Sequence, residues 1–287
     1  MKVVEEERKN LSAADIGHVN TDGPGKAPNY VLLPGDPNRV ALMAELWDGG
    51  KQGPEGFSGS PEVWTLARQA KAAVGTYKGT EIGAWSTGIG GPSAEFTFTD
   101  VIGRGGETFI RVGTTGTIQP YVNIGDIIIN DANIRLDGTS DLYARREFPA
   151  AASFEVTMAL VKACENLGIP YHVGTGCTSA SFFTGQCRPG YKGYYPSHID
   201  DMLEDLKAQG VLNFEMEGAT LSTLARIYGK RFGMCAVVVA HRLTGEWLED
   251  PKTEQNACLV GAEALRILAE WDEKKKAAGK KYYFPGL

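Results

Sequence analysis

Thr108-Phe-Ile-Arg-Val-Gly-Thr-Thr-Gly116 decides the fold. A short apolar segment, 108–112, runs straight into a turn of glycine and hydroxyl residues. Strands that stop at glycine or proline in this way read as buried strands of an α/β sheet. The same sequence grammar recurs three times. Tyr30–Gly35 runs into LLPGDPNR (32–39), the segment 81–86 runs into STGIGGPS (86–93), and 171–174 runs into GTGCTSASFF (174–183). Further strands are predicted at 126–134 and 234–240. Helical periodicity is read at 39–47, 94–102, 152–167, 199–209, 219–228 and 254–276. Strand and helix alternate along the whole chain, which predicts an α/β fold around one mixed or mostly parallel sheet. No break in composition divides it. A single domain over 1–287 is expected, with 1–15 and 277–287 as peripheral tails. The segment 49–60, with five glycines and one proline, is expected to be a mobile inserted loop.

Composition narrows the function. Lys and Arg number 29 against 35 Asp and Glu, a net charge of −6. An acidic chain is poorly suited to sequence-independent nucleic-acid binding, which neutralises phosphates with cations. Five cysteines are widely spaced without a CxxC pair, which argues against a disulfide framework and a cysteine-rich zinc site. The N-terminus lacks the apolar core of a signal peptide, and no run of 18 apolar residues occurs. A cytoplasmic protein with reduced thiols and no membrane partner is therefore expected. The four histidines form no HxH or HExxH pattern, and there is no GxSxG elbow. STGIGGPS falls short of the GxGxxG fingerprint, which disfavours a dinucleotide-dependent dehydrogenase.

The four turns are the candidates for chemistry, because ligands in open α/β sheets bind outside the carboxyl ends of the strands. Two of them carry arginine. Arg39 follows Gly35, and Arg111 precedes Gly113-Thr114-Thr115. An arginine ending an apolar strand needs a partner, because burying a lone charge is costly. That partner is either a carboxylate or an oxyanion such as phosphate, which the planar guanidinium matches in a bidentate way. Phe214-Glu-Met-Glu217 precedes a helix. On a strand Glu215 and Glu217 point to the same side. Such a pair can hold a metal, act as acid and base, accept hydrogen bonds from a sugar diol, or sit solvated on the surface. The apolar surroundings favour burial. Phe182-Phe-Thr-Gly-Gln-Cys-Arg188 combines stacking rings with an amide and a guanidinium, a set able to read a planar heterocycle.

Taken in order, PGDPNR, STGIGGPS, RVGTTGTIQPYVNIGDIIINDANIRLDG, FFTGQCR and NFEMEGATL resemble the nucleoside phosphorylase-I family over roughly residues 15–270. The resemblance implies a single α/β domain whose central mixed sheet forms a distorted barrel flanked by helices. It also implies reversible phosphorolysis of uridine to uracil and ribose 1-phosphate, with phosphate as co-substrate and no organic cofactor. Carried over residue by residue, phosphate would meet Gly35, Arg39, Arg111 and Thr114, with Arg68 supplied by a neighbouring subunit. The ribose would meet His18, Glu215, Met216 and Glu217. The base would meet Phe182, Gln186 and Arg188, with Arg242 in support. A homo-oligomer follows, with the dimer as the smallest active unit and a hexamer as a further assembly.

Two departures carry information. Purine-cleaving members and nucleosidases of the family place an aspartate after the last strand to protonate the base. This chain reads Val239-Ala-His-Arg242 there, without an acid, which favours a pyrimidine over the purine-cleaving alternatives. Bacterial relatives have a glutamate beside the bridging arginine, which helps to hold a monovalent interface cation. Gln69 stands in that place, so a cation near Gln69, Ile89 and Ser93 is left undecided. Non-catalytic members of the family also exist, but the arginines and both glutamates are all present here.

Overall fold

The computed structural model describes residues 23–248 and 250–284. It begins with β1 (Tyr30–Pro34), α1 (Pro37–Leu46), β2 (Glu62–Thr65), β3 (Lys71–Tyr77), β4 (Thr80–Trp85) and α2 (Gly91–Gly103). Next come β5 (Thr108–Thr117), β6 (Ile127–Leu136), β7 (Ala150–Ala151), α3 (Phe154–Leu167), β8 (Tyr171–Ser179) and α4 (Met202–Ala208). The chain closes with β9 (Asn213–Glu215), α5 (Gly218–Ile227), β10 (Arg231–His241), β11 (Glu246–Trp247) and α6 (Pro251–Ala278). The α/β expectation holds, as one domain with a mixed sheet that closes on itself.

Strand β5 makes the closure possible. Along its first half it lies between β1 and β10, parallel to both. At Gly116 and Thr117, beyond the end of β1, it takes β9 as an antiparallel neighbour instead. β9 pairs in turn with β8, β8 with β6, and β6 with β10, so five strands form a closed ring. β1, β4, β3 and β2 extend the sheet outward from β5 as a conventional open edge.

Alternation along the strands explains the core. Leu32, Ile110, Val112, Cys235 and Val237 face one layer with α1, α3 and α6. Val31, Leu33, Phe109, Phe232 and Met234 face the other, with α2 and α5. Both faces of these parallel strands are covered, so their sequence reads as continuous apolar runs.

Several strands exceed their sequence-based bounds. GTGCTS continues β8 through Ser179 rather than forming a turn after it. Gly176 makes this possible: a Cβ there would sit 2.7 Å from the Asn130 amide nitrogen inside the barrel. β2 and β3 carry no alternation and were not expected. Residues 49–60 form exposed turns tied back to α1, with Gln52 N–H donating to the Glu45 carbonyl at 2.8 Å. Beyond α6 the chain returns to the body, where Tyr283 stacks on Trp271 at 4.3 Å between ring centroids.

Candidate active site

A cavity of about 770 Å³ opens at the carboxyl ends of β1, β4, β5 and β10. Gly35, Arg39, Arg111, Thr114, Phe182, Gln186, Arg188, Glu215, Met216 and Glu217 all line it. These residues come from four separate stretches of sequence, and the fold brings them to one place.

The floor is a buried charge cluster. Arg111 donates from Nε to Glu215 Oε2 at 3.2 Å, and its Nη2 pairs with Glu217 Oε2. Both glutamates are about 3% exposed, which removes the solvated-surface reading of the pair. They do not share a strand, as alternation predicted. β9 ends at Glu215, and Glu217 is the N-cap residue of α5. The Glu215 carboxylate turns back and accepts from the Glu217 and Gly218 N–H groups, each at 2.9 Å. Thr178 Oγ1 also donates to it, and Glu217 Oε1 accepts from Gly90 N–H at 2.5 Å. Gly90 of STGIGGPS therefore holds a carboxylate 127 residues away. Burial pushes the Glu217 carboxyl above its ordinary range, with the charge of Glu215 adding and that of Arg111 opposing. Burial alone would lower Arg111, but Glu217 and then Glu215 outweigh it and raise the guanidinium further. One donor of this cluster, Arg111 Nη1, has no partner although it is buried.

Glycines leave the backbone close to this arginine and to the turn beside it. A Cβ on Gly113 would stand 3.2 Å from Arg111 Nη2, and one on Gly35 would stand 3.2 Å from the Gly88 carbonyl oxygen. Asp36 caps α1 by accepting from Asn38 N–H at 2.8 Å, which fixes the turn that presents Arg39. Arg39 donates from Nε and Nη2 to Glu254 Oε2 at 3.1 and 3.0 Å, and from Nη1 to the Val112 carbonyl at 3.3 Å. Both candidate clamp arginines thus have carboxylate partners as well as a face on the cavity, so the two readings of their pattern coexist.

At the far side, Arg188 lies over the Phe182 ring at 4.2 Å, with Trp247 at 5.8 Å. The expected stacking ring therefore carries the guanidinium. Arg242 does not line the cavity; its Nη2 donates to the Gln186 backbone carbonyl at 2.5 Å. Burial, with Arg188 adding, pushes Arg242 down to about 10. Trp247 and Glu254 are cavity residues that the sequence reading missed. Each stands alone in sequence, and only Asp250-Pro251 announces a helix nearby.

Arg68 does not line the cavity within one chain. It sits on the exposed turn between β2 and β3, 5.4 Å from the Phe96 ring centroid. Arg68 and Gln69 both adopt positive φ, 57° and 63°. Ser93 donates its hydroxyl to the Thr87 carbonyl at 2.5 Å, and Ile89 is largely exposed at the cavity mouth. Among the described residues, no group of three or more His, Cys, Asp or Glu side chains is arranged to hold a metal. His18 lies outside the described residues. No described helix is long and apolar enough to cross a membrane.

The sequence profile described as Phosphorylase superfamily matches residues 29–270. The chain belongs to this superfamily. A uridine phosphorylase from Thermococcus kodakarensis is 47% identical over 264 residues, 92% of this chain and 91% of that protein. A uridine phosphorylase from Escherichia coli is 37% identical over 263 residues, 90% of this chain and the whole of that protein. A guanosine phosphorylase from Halorubrum lacusprofundi is 30% identical over 221 residues, covering 77% and 82% respectively. The closed mixed barrel, flanked by six helices among the described residues, accords with that membership.

Proposed function

We propose that this chain is a pentosyltransferase that carries out the reversible phosphorolysis of uridine to uracil and ribose 1-phosphate. The observation that carries this reading is the buried Arg111. It grips Glu215 and Glu217 on one side and keeps Nη1 unpartnered on the other, in a cavity shared with Arg39 and Thr114. A buried donor without an acceptor is costly, so the site suits an oxyanion. The two carboxylates are fixed acceptors suited to the ribose hydroxyls, with the Met216 backbone between them.

Phosphate, held by Gly35, Arg39, Arg111 and Thr114, lies beneath C1′ of the sugar. The sugar–base bond lengthens first and the sugar takes on oxocarbenium character. Phosphate oxygen then bonds to C1′ from the opposite face, and the bonding electrons leave with the base. Gln186 and Arg188 stabilise the negative charge that develops on uracil, and Arg242 holds the Gln186 segment in place. The names of the two relatives of higher identity and the missing acid in Val239–Arg242 both favour a pyrimidine. The guanosine phosphorylase at 30% identity motivates a purine phosphorolysis reading as the second candidate.

The active unit is proposed to be a dimer in the cytoplasm, with a hexamer as a further assembly. In it a second copy supplies Arg68, whose guanidinium in one chain lies outside the cavity, and His18 approaches the ribose. Gln69, Ile89 and Ser93 offer neutral oxygen donors only, so an interface cation would be held without an acidic side chain from these three. Phosphate-dependent cleavage assayed on uridine, deoxyuridine, thymidine, inosine and adenosine tests the reading. Cleavage of uridine that requires phosphate is expected; preference for inosine or adenosine, or cleavage by water alone, overturns it. Mixing inactive Arg68→Ala with inactive Arg111→Ala subunits should restore part of the activity if the site is built from two chains.

A further inference from the structure

Glu254 has no place in the scheme above, yet it stands on the cavity wall beside Arg39. Its Oε2 accepts both Arg39 bonds, from Nε at 3.1 Å and Nη2 at 3.0 Å. Its Oε1 has no hydrogen-bond partner among the described residues. The side chain is 29% exposed, and Glu254 lines the cavity together with Arg39, Gly35 and Arg111. A site for an anion therefore carries a free carboxylate oxygen, which can only accept a hydrogen bond.

The charges make this arrangement demanding. Among the cavity residues Arg39, Arg111 and Arg188 contribute three positive charges, while Asp36, Glu215, Glu217 and Glu254 contribute four negative charges when ionised. Burial disfavours the charge on Glu217, and Glu254 adds a carboxylate beside Arg39 at the edge of the anion site. A carboxylate beside an oxyanion is repulsive unless a proton lies between them. Phosphate at neutral pH always carries at least one proton, and sulfate carries none.

We infer that Glu254 reads the proton of the bound oxyanion: Oε1 accepts a hydrogen bond from the P–OH group, and the site selects protonated tetrahedral anions over unprotonated ones of the same size. Glu254 is then a specificity-determining residue of the phosphate site, and the inference rests on the proposed phosphate site being where Arg39 and Arg111 place it. Oε2 fixes Arg39 through its Nε and Nη2, while Oε1 tests the anion bound beside them. Fully deprotonated anions meet two donors and one uncompensated acceptor. Protonated ones satisfy all three.

Arsenate and selenate make the test sharp, because they match closely in size and differ at neutral pH by that proton. Binding of phosphate, arsenate, sulfate and selenate to the full chain is measured by calorimetry at fixed ionic strength. Phosphate and arsenate are expected to bind at least about tenfold more tightly than sulfate and selenate. Glu254→Gln keeps an oxygen for Arg39 and turns the free position into an N–H donor, so its arsenate-to-selenate ratio should fall toward one. Selenate binding within about threefold of arsenate in the unaltered protein overturns the inference, as does an unchanged ratio in folded Glu254→Gln. If none of the four anions binds, the phosphate site itself fails. If all four bind alike, that site stands and the role of Glu254 alone falls.

Discussion

Two charge clusters, one half-buried and one fully buried, lie at opposite ends of the same strands, and they are built to opposite standards. At the amino-terminal ends of β1, β5 and β10, Asp272 accepts from Tyr30 at 2.7 Å and from Arg231 at 2.8 and 2.5 Å, and pairs with Lys275 at 2.8 Å. Glu155 accepts from Lys275 at 2.9 and 3.0 Å and from Tyr283 N–H at 2.7 Å. Two cations meet two anions. Burial would raise the Asp272 carboxyl, but hydrogen bonds from Arg231, Lys275 and Tyr30 outweigh it and hold it at about 2. At the carboxyl-terminal ends, one arginine meets two glutamates. One of those carboxyls is pushed up, and Arg111 Nη1 is left without a partner. The first cluster is complete as it stands and fastens α6 to the sheet. The second is incomplete until a ligand arrives, so its stored imbalance is available for binding.

Removing Arg111 should have the largest effect. Arg111→Ala leaves two buried carboxylates without their cation, an arrangement that costs on the order of 3–5 kcal/mol. Turnover should fall by at least about 10²–10³-fold, the cost of a single lost charge-stabilising donor. Chemical denaturation and steady-state kinetics together check this. An active Arg111→Ala protein of unchanged stability would break the contrast between the two clusters.

Asp272→Asn comes next. It weakens charge-assisted hydrogen bonds to Arg231 and Lys275, and a stability loss of about 1–3 kcal/mol is expected. The kcat should be unchanged, because nothing in this cluster touches the cavity. A loss of kcat without loss of stability would join the two ends functionally.

Glu217→Gln sharpens the comparison through its sign. The amide imitates the protonated carboxyl that burial favours, so Tm at neutral pH should rise. Meanwhile kcat/KM for the nucleoside should fall roughly 10- to 100-fold through loss of a charge-assisted hydrogen bond. Stabilisation at the incomplete cluster set against destabilisation at the complete one is the signature of a binding site against a structural one.

The smallest effect is the pH dependence. The folded chain holds the Glu217 proton more tightly than the unfolded chain does. That group therefore adds stability as pH falls toward the ordinary carboxylate range, and the gain is lost as pH rises through its raised value. Asp272 acts oppositely. Its contribution is full above about pH 4 and is lost as pH falls through about 2. Acid unfolding followed in Asp272→Asn should lack the lowest-pH component and retain the rest.

Particular residues show how far the sequence could be read. PGDPNR announced its own turn, because Asp36 caps and Pro37 begins a helix by local geometry. RVGTT announced a charge in need of a partner, because an arginine at the end of an apolar strand is not buried alone. The two glutamates were legible as a pair but not as a strand end and a helix cap, since β9 stops after three residues. Glu254 gave no signal at all. Its partner Arg39 lies 215 residues earlier, and no local rule links the two.

Local chemistry in the chain set what each segment can be: apolar runs that must be covered on both faces, turns where only glycine fits, and arginines that cannot be buried alone. Those constraints are short-range, so they survive in any fold the chain adopts. Which carboxylate meets which arginine, and which donor is left over, depends on strands and helices far apart in sequence arriving at one cavity. Closure of five strands into a ring decides that, because the ring fixes the end of β5 against β9 and so brings Arg111 to Glu215 and Glu217.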